Sequence, residues 1–551
     1  MLVALTALLA CSKEAQEAEE SLQPDITLTS PAPASFHAEG EIAAEGTFQN
    51  LRSVTVDGHE ASPSQDNTFS GTTTLVRGLN VVEAYGSRPD GEYRYARNGV
   101  LAGDFQDSAG PLNEAAALRV NRDGIDAALD FVGGMIDQET VAAAALGMNP
   151  VYQDSYGVWG WDAVEITANV DDITFDTPIL QAEPRAGELD LYVTIPNLFV
   201  DLQAVGDVVG IDFDVDASVS AEQANIQGTL TLDVTRDGSL DIALVDADVD
   251  LSGFAYDTSL LPGDVEAYLF VDTIRGKLED MLLEQIETIV PPLLEDTLGG
   301  LDLSFSLDLL GTTVRIAASF AEAGIDAAGI YLVSDIAIDV PVATGQDAPG
   351  FLAAPSFTAE PDKSSAVSAL ISDDLLNKLF FDLWRGGLLN LRLSTDDGSL
   401  EPLYLLALKA EQGTIAVQGK LPPVAMHTER GLELQVGELE VTIDTPGGEL
   451  GEHLIVAVNV SVPLDLGYSE GQVVLELGSP ELVMMVRESD WGAEEETVTA
   501  LLEELLPIHT ILALLGDIAF DVPSLDGLEI RSAEVQRDGS KLATHVLVEL
   551  D

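Results

Sequence analysis

Alternating apolar and polar residues mark several long segments of the chain as β-strands. Residues 211–219 place Ile, Phe, Val and Ala on one face and every Asp on the other. Residues 301–309 alternate in the same way, and residues 432–436 and 439–444 repeat the pattern in the second half. Because successive side chains of a strand point to opposite faces, each segment predicts a sheet with one apolar face.

Segments with helical periodicity lie before and between these strands. Ile125, Leu129, Val132 and Ile136 recur at intervals of four, three and four residues, which predicts an amphipathic helix over residues 121–138. A second helix is predicted between the strands, and Pro291-Pro292 is expected to interrupt it near its end. Its apolar positions are Val271, Ile274, Leu278, Met281, Leu282, Ile286, Ile289 and Leu293.

The second half follows the same order of elements. Residues 367–389 are predicted to form a helix with Ile371, Leu375, Leu379 and Leu383 on one side. A further helix carries the apolar positions Val498, Leu501, Leu502, Leu505, Ile508, Leu512 and Leu515. The pattern therefore predicts two similar units, over residues 110–345 and 346–551.

These elements predict an α+β fold, in which two elongated antiparallel sheets form barrels wrapped around long amphipathic helices. A sheet with one apolar face must be covered, or must curl around that face. A gap between a curled sheet and its helices would be lined by aliphatic side chains and would suit an acyl chain. The alternative interpretation of the same residues is an ordinary packed core.

The N-terminal region has a different texture. Over residues 26–105, short β-rich segments alternate with Gly, Pro and Asn turns, which is typical of an all-β sandwich. The order VTVDG followed by DNTFSGTTTLVRGLNVVEAYG resembles bacterial Ig-like modules of the glucodextranase domain B type. That resemblance implies a spacer, with carbohydrate or partner binding as the alternative.

The first eleven residues indicate export. An apolar stretch ends in Leu8-Leu9-Ala10-Cys11, which resembles the bacterial lipobox. The resemblance implies that residues 1–11 are a lipoprotein signal and that the thiol of Cys11 is lipidated. Residues 12–25 are polar and are expected to form a tether. Ser12 after the Cys favours an outer-membrane anchor, facing the periplasm or the cell surface.

Charge excludes several classes of partner. The chain has 24 Lys and Arg against 95 Asp and Glu, a net charge of −71. Such a surface repels phosphate backbones and anionic bilayers, so nucleic-acid binding is excluded. Cys11 is the single Cys, and no intramolecular disulfide can form.

No catalytic motif stands out, and the chain is predicted not to be an enzyme. The sequence contains no HExxH pair, no GxSxG elbow and no phosphate-binding glycine loop. The alternating acids at Asp212, Asp214 and Asp216 and at Asp246, Asp248 and Asp250 suggest Ca²⁺ only weakly, since neither series has the loop of an EF-hand. No metal and no cofactor are therefore expected.

Three stretches resemble the tubular lipid-binding superfamily, in particular its bactericidal/permeability-increasing-like members. They are residues 116–136 (AALRVNRDGIDAALDFVGGMI), residues 366–393 (AVSALISDDLLNKLFFDLWRGGLLNLRL) and residues 518–530 (IAFDVPSLDGLEI). The resemblance implies two barrels, each a twisted sheet around a long helix with a lipid tail in an apolar groove. The antibacterial members are basic and have a disulfide, whereas this chain is acidic with one Cys.

The predicted function is lipid binding or transfer by an anchored lipoprotein, with a lipid or another hydrophobic molecule and the membrane as its partners. The alternative is a surface adhesion or scaffold lipoprotein with solid barrels. The predicted groove residues are Leu129, Val132, Ile136, Leu278, Leu282 and Ile286 in the first barrel, and Leu375, Leu379, Leu383, Leu502, Leu505 and Leu512 in the second.

Overall fold

The structure is a computed structural model. It describes residues 24–136, 138–147, 149–158, 161–208, 211–258, 264–309, 312–354, 360–400, 406, 408–469, 471–491, 498, 502, 518–522, 524–538 and 543–550.

The N-terminal region contains ten strands. They are β1 (Asp25–Ser30), β2 (Ser35–His37), β3 (Gly40–Gln49), β4 (Ser53–Val56), β5 (His59–Glu60), β6 (Ser62–Pro63), β7 (Thr68–Leu75), β8 (Gly78–Ser87), β9 (Tyr93–Ala102) and β10 (Phe105–Gln106). Strands β1-β3-β7-β6 form one sheet and β2-β9-β8-β4-β5 form another. The two sheets share one apolar core, which includes Leu28, Val56, Phe69 and Val100. We refer to this part as the N-terminal sandwich.

The next part contains three helices and eleven strands. The strands are β11 (Leu112–Asn121), β12 (Tyr152–Val158), β13 (Trp161–Thr174), β14 (Ile179–Arg185), β15 (Glu188–Val208), β16 (Ile211–Val234), β17 (Leu240–Ser252), β18 (Ala255–Thr258), β19 (Phe305–Leu309), β20 (Thr312–Asp326) and β21 (Gly329–Asp339). The helices are α1 (Arg122–Met135), α2 (Gln138–Gly147) and α3 (Asp264–Gly299).

The remaining part contains one described helix of regular length, α4 (Asp373–Arg385). Its strands are β22 (Phe351–Leu352), β23 (Val367–Ser372), β24 (Leu391–Ser394), β25 (Thr414–Gly419), β26 (Val424–Thr428), β27 (Gly431–Asp444), β28 (His453–Ser469), β29 (Gln472–Leu477), β30 (Glu481–Ser489), β31 (Ala519–Asp521), β32 (Ile530–Asp538) and β33 (Ala543–Leu550).

The first barrel is a curled sheet around α1 and α3. Its order is β12-β13-β15-β16-β17, with β14 on β15 and β18 on β16. Strands β15 and β16 run antiparallel from Leu189 opposite Leu230 to Val208 opposite Ile211. The sheet curls until β16 contacts β20, while α3 packs on β17 and α1 on β14. The predicted alternation of residues 211–219 is confirmed here, since Val215, Ala217 and Val219 are buried and Asp214 and Asp216 are exposed.

The second barrel has an eight-stranded sheet. Its order is β24-β25-β27-β28-β29-β31, with β26 on β27 and β30 on β28. The two predicted strands at residues 432–436 and 439–444 are one strand, β27, with a break in register between Val436 and Leu439. Glu438 lies at this break with a φ of 46°, a left-handed conformation that is typical of a bulge.

A central sheet joins the two barrels. Its order is β19-β20-β21-β11-β23-β33-β32, so β11 pairs with β21 on one side and β23 on the other. Leu118 lies opposite both Leu332 and Ala369. One continuous apolar cluster extends from the first barrel through the inner face of this sheet into the second. The barrel boundary at residue 346 stays a prediction, because this sheet takes strands from both sides of it.

Two predicted helices differ from the structure. Residues 367–372 are not helical, because they form β23, which is fully buried and pairs with β11 and β33 on its two sides. Helix α4 begins only after Ser372, whose hydroxyl accepts a hydrogen bond from the Asp374 N–H at 3.0 Å. Pro291-Pro292 does not interrupt α3, which continues to Gly299 with Val290, Leu294 and Leu298 buried.

One predicted strand is shorter than expected. Within residues 301–309, strand β19 begins at Phe305, and Leu301 is buried in the turn that follows α3. The Leu301 N–H donates a hydrogen bond to the Leu298 carbonyl. The turn that ends the helix therefore includes the first residues of the alternating segment.

The N-terminal sandwich is fixed to the second barrel by a buried junction. Glu438 forms an ion pair with Arg487, with both carboxylate oxygens 2.9 Å from Nη2, and also accepts a hydrogen bond from the Gly99 N–H at 2.5 Å. Arg487 also donates to Asn98 at 2.8 Å. A small apolar cluster of Leu101, Leu352, Leu421, Val424 and Met426 lies beside these polar groups.

Candidate functional site

The interior of the first barrel contains all six predicted groove residues. Leu129 and Val132 on α1 and Ile136 directly after it are at most 6% exposed, and Leu278, Leu282 and Ile286 on α3 are at most 2% exposed. All six belong to the same apolar cluster, in which the curled sheet meets the two helices. Their burial follows from their helical spacing, which points them at the concave face of the sheet.

The described part of this interior is largely filled by side chains. An apolar cavity of about 30 Å³ lies where α1 and the end of α3 meet the sheet. Leu129, Leu294 and Leu298 line it from the helices, and Leu189 and Ile330 are among its sheet residues. A cavity of this size holds about one water molecule, so it accepts an acyl chain only if the helices move away from the sheet. Among the six predicted residues, Leu129 alone lines it.

The predicted groove residues of the second barrel lie in two places. Leu379 and Leu383 are buried on α4, and Leu375 is half-buried beside them. Leu502 is helical and fully buried, and its neighbours in the chain lie outside the described residues. Leu505 and Leu512 lie outside the described residues.

A larger space with a mixed apolar and polar lining lies elsewhere in the second barrel. We call it the second-barrel groove, an opening of about 450 Å³. Its apolar residues are Leu432, Pro463, Leu464, Leu466, Leu477 and Val535. Leu432, Leu464 and Leu466 are buried core residues, while Leu477 and Val535 are half-buried. This volume falls within the range of small-molecule pockets.

The position of the groove follows from the local strand pairing. Leu464 on β28 lies opposite Leu477 on β29, so both side chains lie on one face of the sheet. Val535 belongs to β32 of the central sheet, which contacts β28. The groove is therefore the seam where the second-barrel sheet approaches the central sheet.

Charged residues of both signs also line the groove, the arginines Arg430 and Arg537 and the acids Asp465 and Glu476. Arg430 forms ion pairs with Glu433 at 2.8 Å and with Glu481 at 2.7 Å, and these carboxylates raise the pKa of its guanidinium. Arg537 forms a two-pronged ion pair with Asp373, the first residue of α4, and donates to Thr544 at 3.3 Å. The groove thus combines an apolar floor with a polar edge, which is the arrangement that an amphiphile requires.

Sequence reasoning missed these groove residues because it looked for them on helices. Leu432 belongs to a segment in which the alternation was recognised, but the apolar face of a strand does not reveal which part stays uncovered. The signal that was present is Leu464-Asp465-Leu466 followed by Leu475-Glu476-Leu477, two short alternating segments joined by a turn.

The described residues show neither a metal cluster nor a membrane-spanning helix. Within them, no cluster of three or more His, Cys, Asp or Glu side chains is arranged to hold a metal ion. None of the described helices has the length and apolar character needed to cross a bilayer. Cys11, the predicted site of lipidation, lies outside the described range.

Comparison with known proteins gives similarity only to solved structures. No family model and no curated protein matches the chain. The chain is similar to a lipopolysaccharide binding protein, with a TM-score of 0.42 and 14% identity, over 80% of this chain and 99% of that one. It is also similar to latherin, with a TM-score of 0.20 and 15% identity, over 34% of this chain and 85% of that one.

Proposed function

We propose that the chain is a non-enzymatic lipid-binding protein that holds the apolar tail of a lipid or similar amphiphile in the second-barrel groove. The observation that carries this proposal is the opening of about 450 Å³ floored by Leu432, Leu464 and Leu466. Burying a tail removes apolar surface from water on both sides, and each buried CH₂ contributes about 0.8 kcal/mol.

The polar edge suits the head of such a molecule. The guanidinium groups of Arg430 and Arg537 have fixed positions because each is paired with a carboxylate. Paired guanidinium groups retain further N–H donors, which can bind hydroxyl, ester or phosphate oxygens. The surrounding acidic surface disfavours an additional strong anion, so the head is expected to carry little net charge.

The location of this activity is also part of the proposal. Lipidation of Cys11 would anchor the chain in the outer membrane, and residues 12–25 would act as the tether. In that position the groove would exchange lipid with the membrane over a short distance. Growth in the presence of a radiolabelled fatty acid tests the anchor, with Cys11→Ser as the variant that should remain unlabelled.

Lipid extraction and displacement test the groove. The full chain is purified in high salt and extracted with organic solvent, and lipid is quantified by mass spectrometry. Leu477→Arg and Val535→Arg place a charge in the groove at half-buried positions, so we expect at least a tenfold loss of bound lipid or of a fluorescent long-chain fatty acid. Val245→Arg, at an exposed apolar position on β17, is the matched control.

The result distinguishes lipid binding in the groove from a second candidate function. Lipid that is retained by both groove variants would place the binding site elsewhere and contradict the proposal. Absence of lipid from the unmodified chain would favour the second candidate, a scaffold or adhesion protein. That candidate has its own support, since the apolar cavity between α1, α3 and the sheet of the first barrel measures only about 30 Å³ and the N-terminal sandwich is docked by a buried ion pair.

A further inference from the structure

The outer face of the central sheet carries a second, polar groove. Residues 117 and 119 on β11 point away from the core that buries Ala116, Leu118 and Val120. Arg119 lies opposite Tyr331 on one side and Ser368 on the other, and Ser368 lies opposite Leu547. The depression above these strands, here called the central-sheet groove, has a volume of about 810 Å³.

A buried arginine forms part of the floor of this groove. The side chain of Arg119 is only 4% exposed. Its Nε donates to Asn121 Oδ1 at 3.0 Å and its Nη2 donates to Asp326. The same side chain lines the groove. A guanidinium donor at the wall of a groove can bind an oxygen atom of a ligand or water.

The charges that line the groove compensate one another. Three Lys or Arg side chains line it together with four Asp or Glu side chains. Asp326 accepts from Arg119 and lies 3.6 Å from Lys363, while Arg537 is held by Asp373. Burial raises the pKa of Asp326, but the hydrogen bonds from Arg119 and the Ala328 N–H, together with the charges of Arg119 and Lys363, leave the pKa below its ordinary value. The carboxylate therefore stays ionised and neutralises the cations.

These features define the chemistry of a ligand. An anion gains little from cations that are already paired, and the net charge of −71 repels it from the whole surface. A cation would be repelled by the guanidinium of Arg119 at the floor of the groove. A neutral molecule with many hydroxyl groups suits both the acidic and the basic side chains of the groove. Each hydroxyl can donate a hydrogen bond to Asp326 or Glu360 and accept one from Arg119 or Lys363. Hydrogen bonds in which one partner is charged are stronger than those between neutral groups.

We infer that the central-sheet groove is a binding site for a neutral carbohydrate, separate from the apolar groove of the second barrel. Arg119 and Asp326 form its floor, Tyr331 supplies a further hydroxyl, and Lys363 and Gln536 lie at its edges. The two grooves meet at Arg537, which lines both of them, but they differ in chemistry, since this groove is polar and lies on the outer face of the sheet.

The test uses the full chain on an array of neutral oligosaccharides printed beside sulfated and sialylated ones. We expect binding to neutral sugars that persists in 0.5 M sodium chloride. Gln536→Trp fills the groove from an exposed position, and Lys363→Ala removes a donor at its edge, so each should weaken binding at least tenfold. Gln181→Trp, at an exposed position on β14, is the matched control.

Thermal melting of every variant shows whether it folds as the unmodified chain does. Binding only to acidic sugars, and only at low salt, would overturn the proposal in favour of an anion site. Binding that Gln536→Trp and Lys363→Ala leave unchanged would also overturn it, as would the absence of binding to any neutral sugar on the array.

Discussion

Glu438 is the residue on which the attachment of the N-terminal sandwich depends. Its side chain is 5% exposed, and it receives hydrogen bonds from Arg487 on β30 and from the backbone of Gly99 on β9. A carboxylate is buried at low cost only when its charge is fully paired and hydrogen-bonded. The bulge at position 438 turns the side chain toward the sandwich, so local backbone geometry and domain attachment are linked.

Replacing Glu438 by Gln tests this role. The amide keeps the shape but leaves Arg487 without its counter-charge, so we expect the free energy of unfolding to fall by about 3 kcal/mol. Denaturant titration measures the loss, and limited proteolysis should release the sandwich earlier. Arg88→Gln, which breaks an exposed pair with Glu92, is the control and should change stability by less than about 1 kcal/mol. Equal effects of the two variants would contradict the assignment.

His453 gives a pH-dependent test at the same scale. Its Nδ1 lies 2.7 Å from Asp444 Oδ1, and this hydrogen bond raises the pKa of the imidazole above 6.5. The favourable contribution of the charged pair is therefore complete below pH 6.5 and is lost as pH rises through the raised folded pKa. NMR titration should show the pKa of His453 moving down toward 6.5 in Asp444→Asn. An unchanged pKa would show that the carboxylate does not cause the shift.

At the scale of elements, helix α3 is unusual because it runs through two consecutive prolines. Pro291 and Pro292 supply no N–H for the carbonyls one turn earlier. Burial of Val290, Leu294 and Leu298 keeps the helix intact, since these side chains pack into the first barrel on either side of the prolines. Tertiary packing thus outweighs the local preference that predicted a break.

Pro292→Ala is expected to stabilise the protein. Pro292 is exposed, and Ala at this position restores an N–H that can donate to the Thr288 carbonyl. A proline in a helix interior costs about 3 kcal/mol relative to alanine, so a gain of about 1–3 kcal/mol is expected. Differential scanning calorimetry measures it, with Glu287→Ala as the exposed control on the same helix. A loss of stability would show that the packing of Leu294 and Leu298 requires the proline.

The boundary between β23 and α4 shows how far local patterns predict elements. Ser372, Asp373 and Asp374 carry a helix-start signal, and the helical spacing of Leu375, Leu379 and Leu383 is confirmed. The signal was overlooked because Ile371 happens to continue the same spacing. That signal places the start of the helix, but the strand character of residues 367–372 comes from pairing with β11 and β33 on both sides.

At the scale of the whole molecule, the order of helices and strands could be predicted from the sequence, whereas the two grooves could not. The two-barrel order of helices and alternating strands was readable from residues such as Ile125 and Val215, because periodicity reports which face is buried. The second-barrel groove was not, because Leu464 and Val535 meet only through a contact between two sheets. The central-sheet groove was also not predicted, since Arg119 and Asp326 are separated by most of the first barrel.

The net charge predicts a strong response to salt. Self-repulsion among 95 acidic side chains destabilises the compact state and is screened by ions. The melting temperature should therefore rise between low and molar sodium chloride. Sodium chloride is preferable to sulfate, which also strengthens apolar burial. Equal melting temperatures in the two solutions would show that the acids are spaced too widely to repel one another.

Strand β11 is synthesised long before β23, one of its two neighbours in the central sheet. Leu118 pairs with Ala369, a separation of 369 − 118 = 251 residues. At translation rates of about 5–20 residues per second, roughly 10–50 s pass between the synthesis of these two positions. Throughout that interval, the edge of β11 that later pairs with β23 has no hydrogen-bonding partner, and such edges attract other chains. Successful production of this protein is therefore a matter of timing and of chaperone protection as much as of final stability.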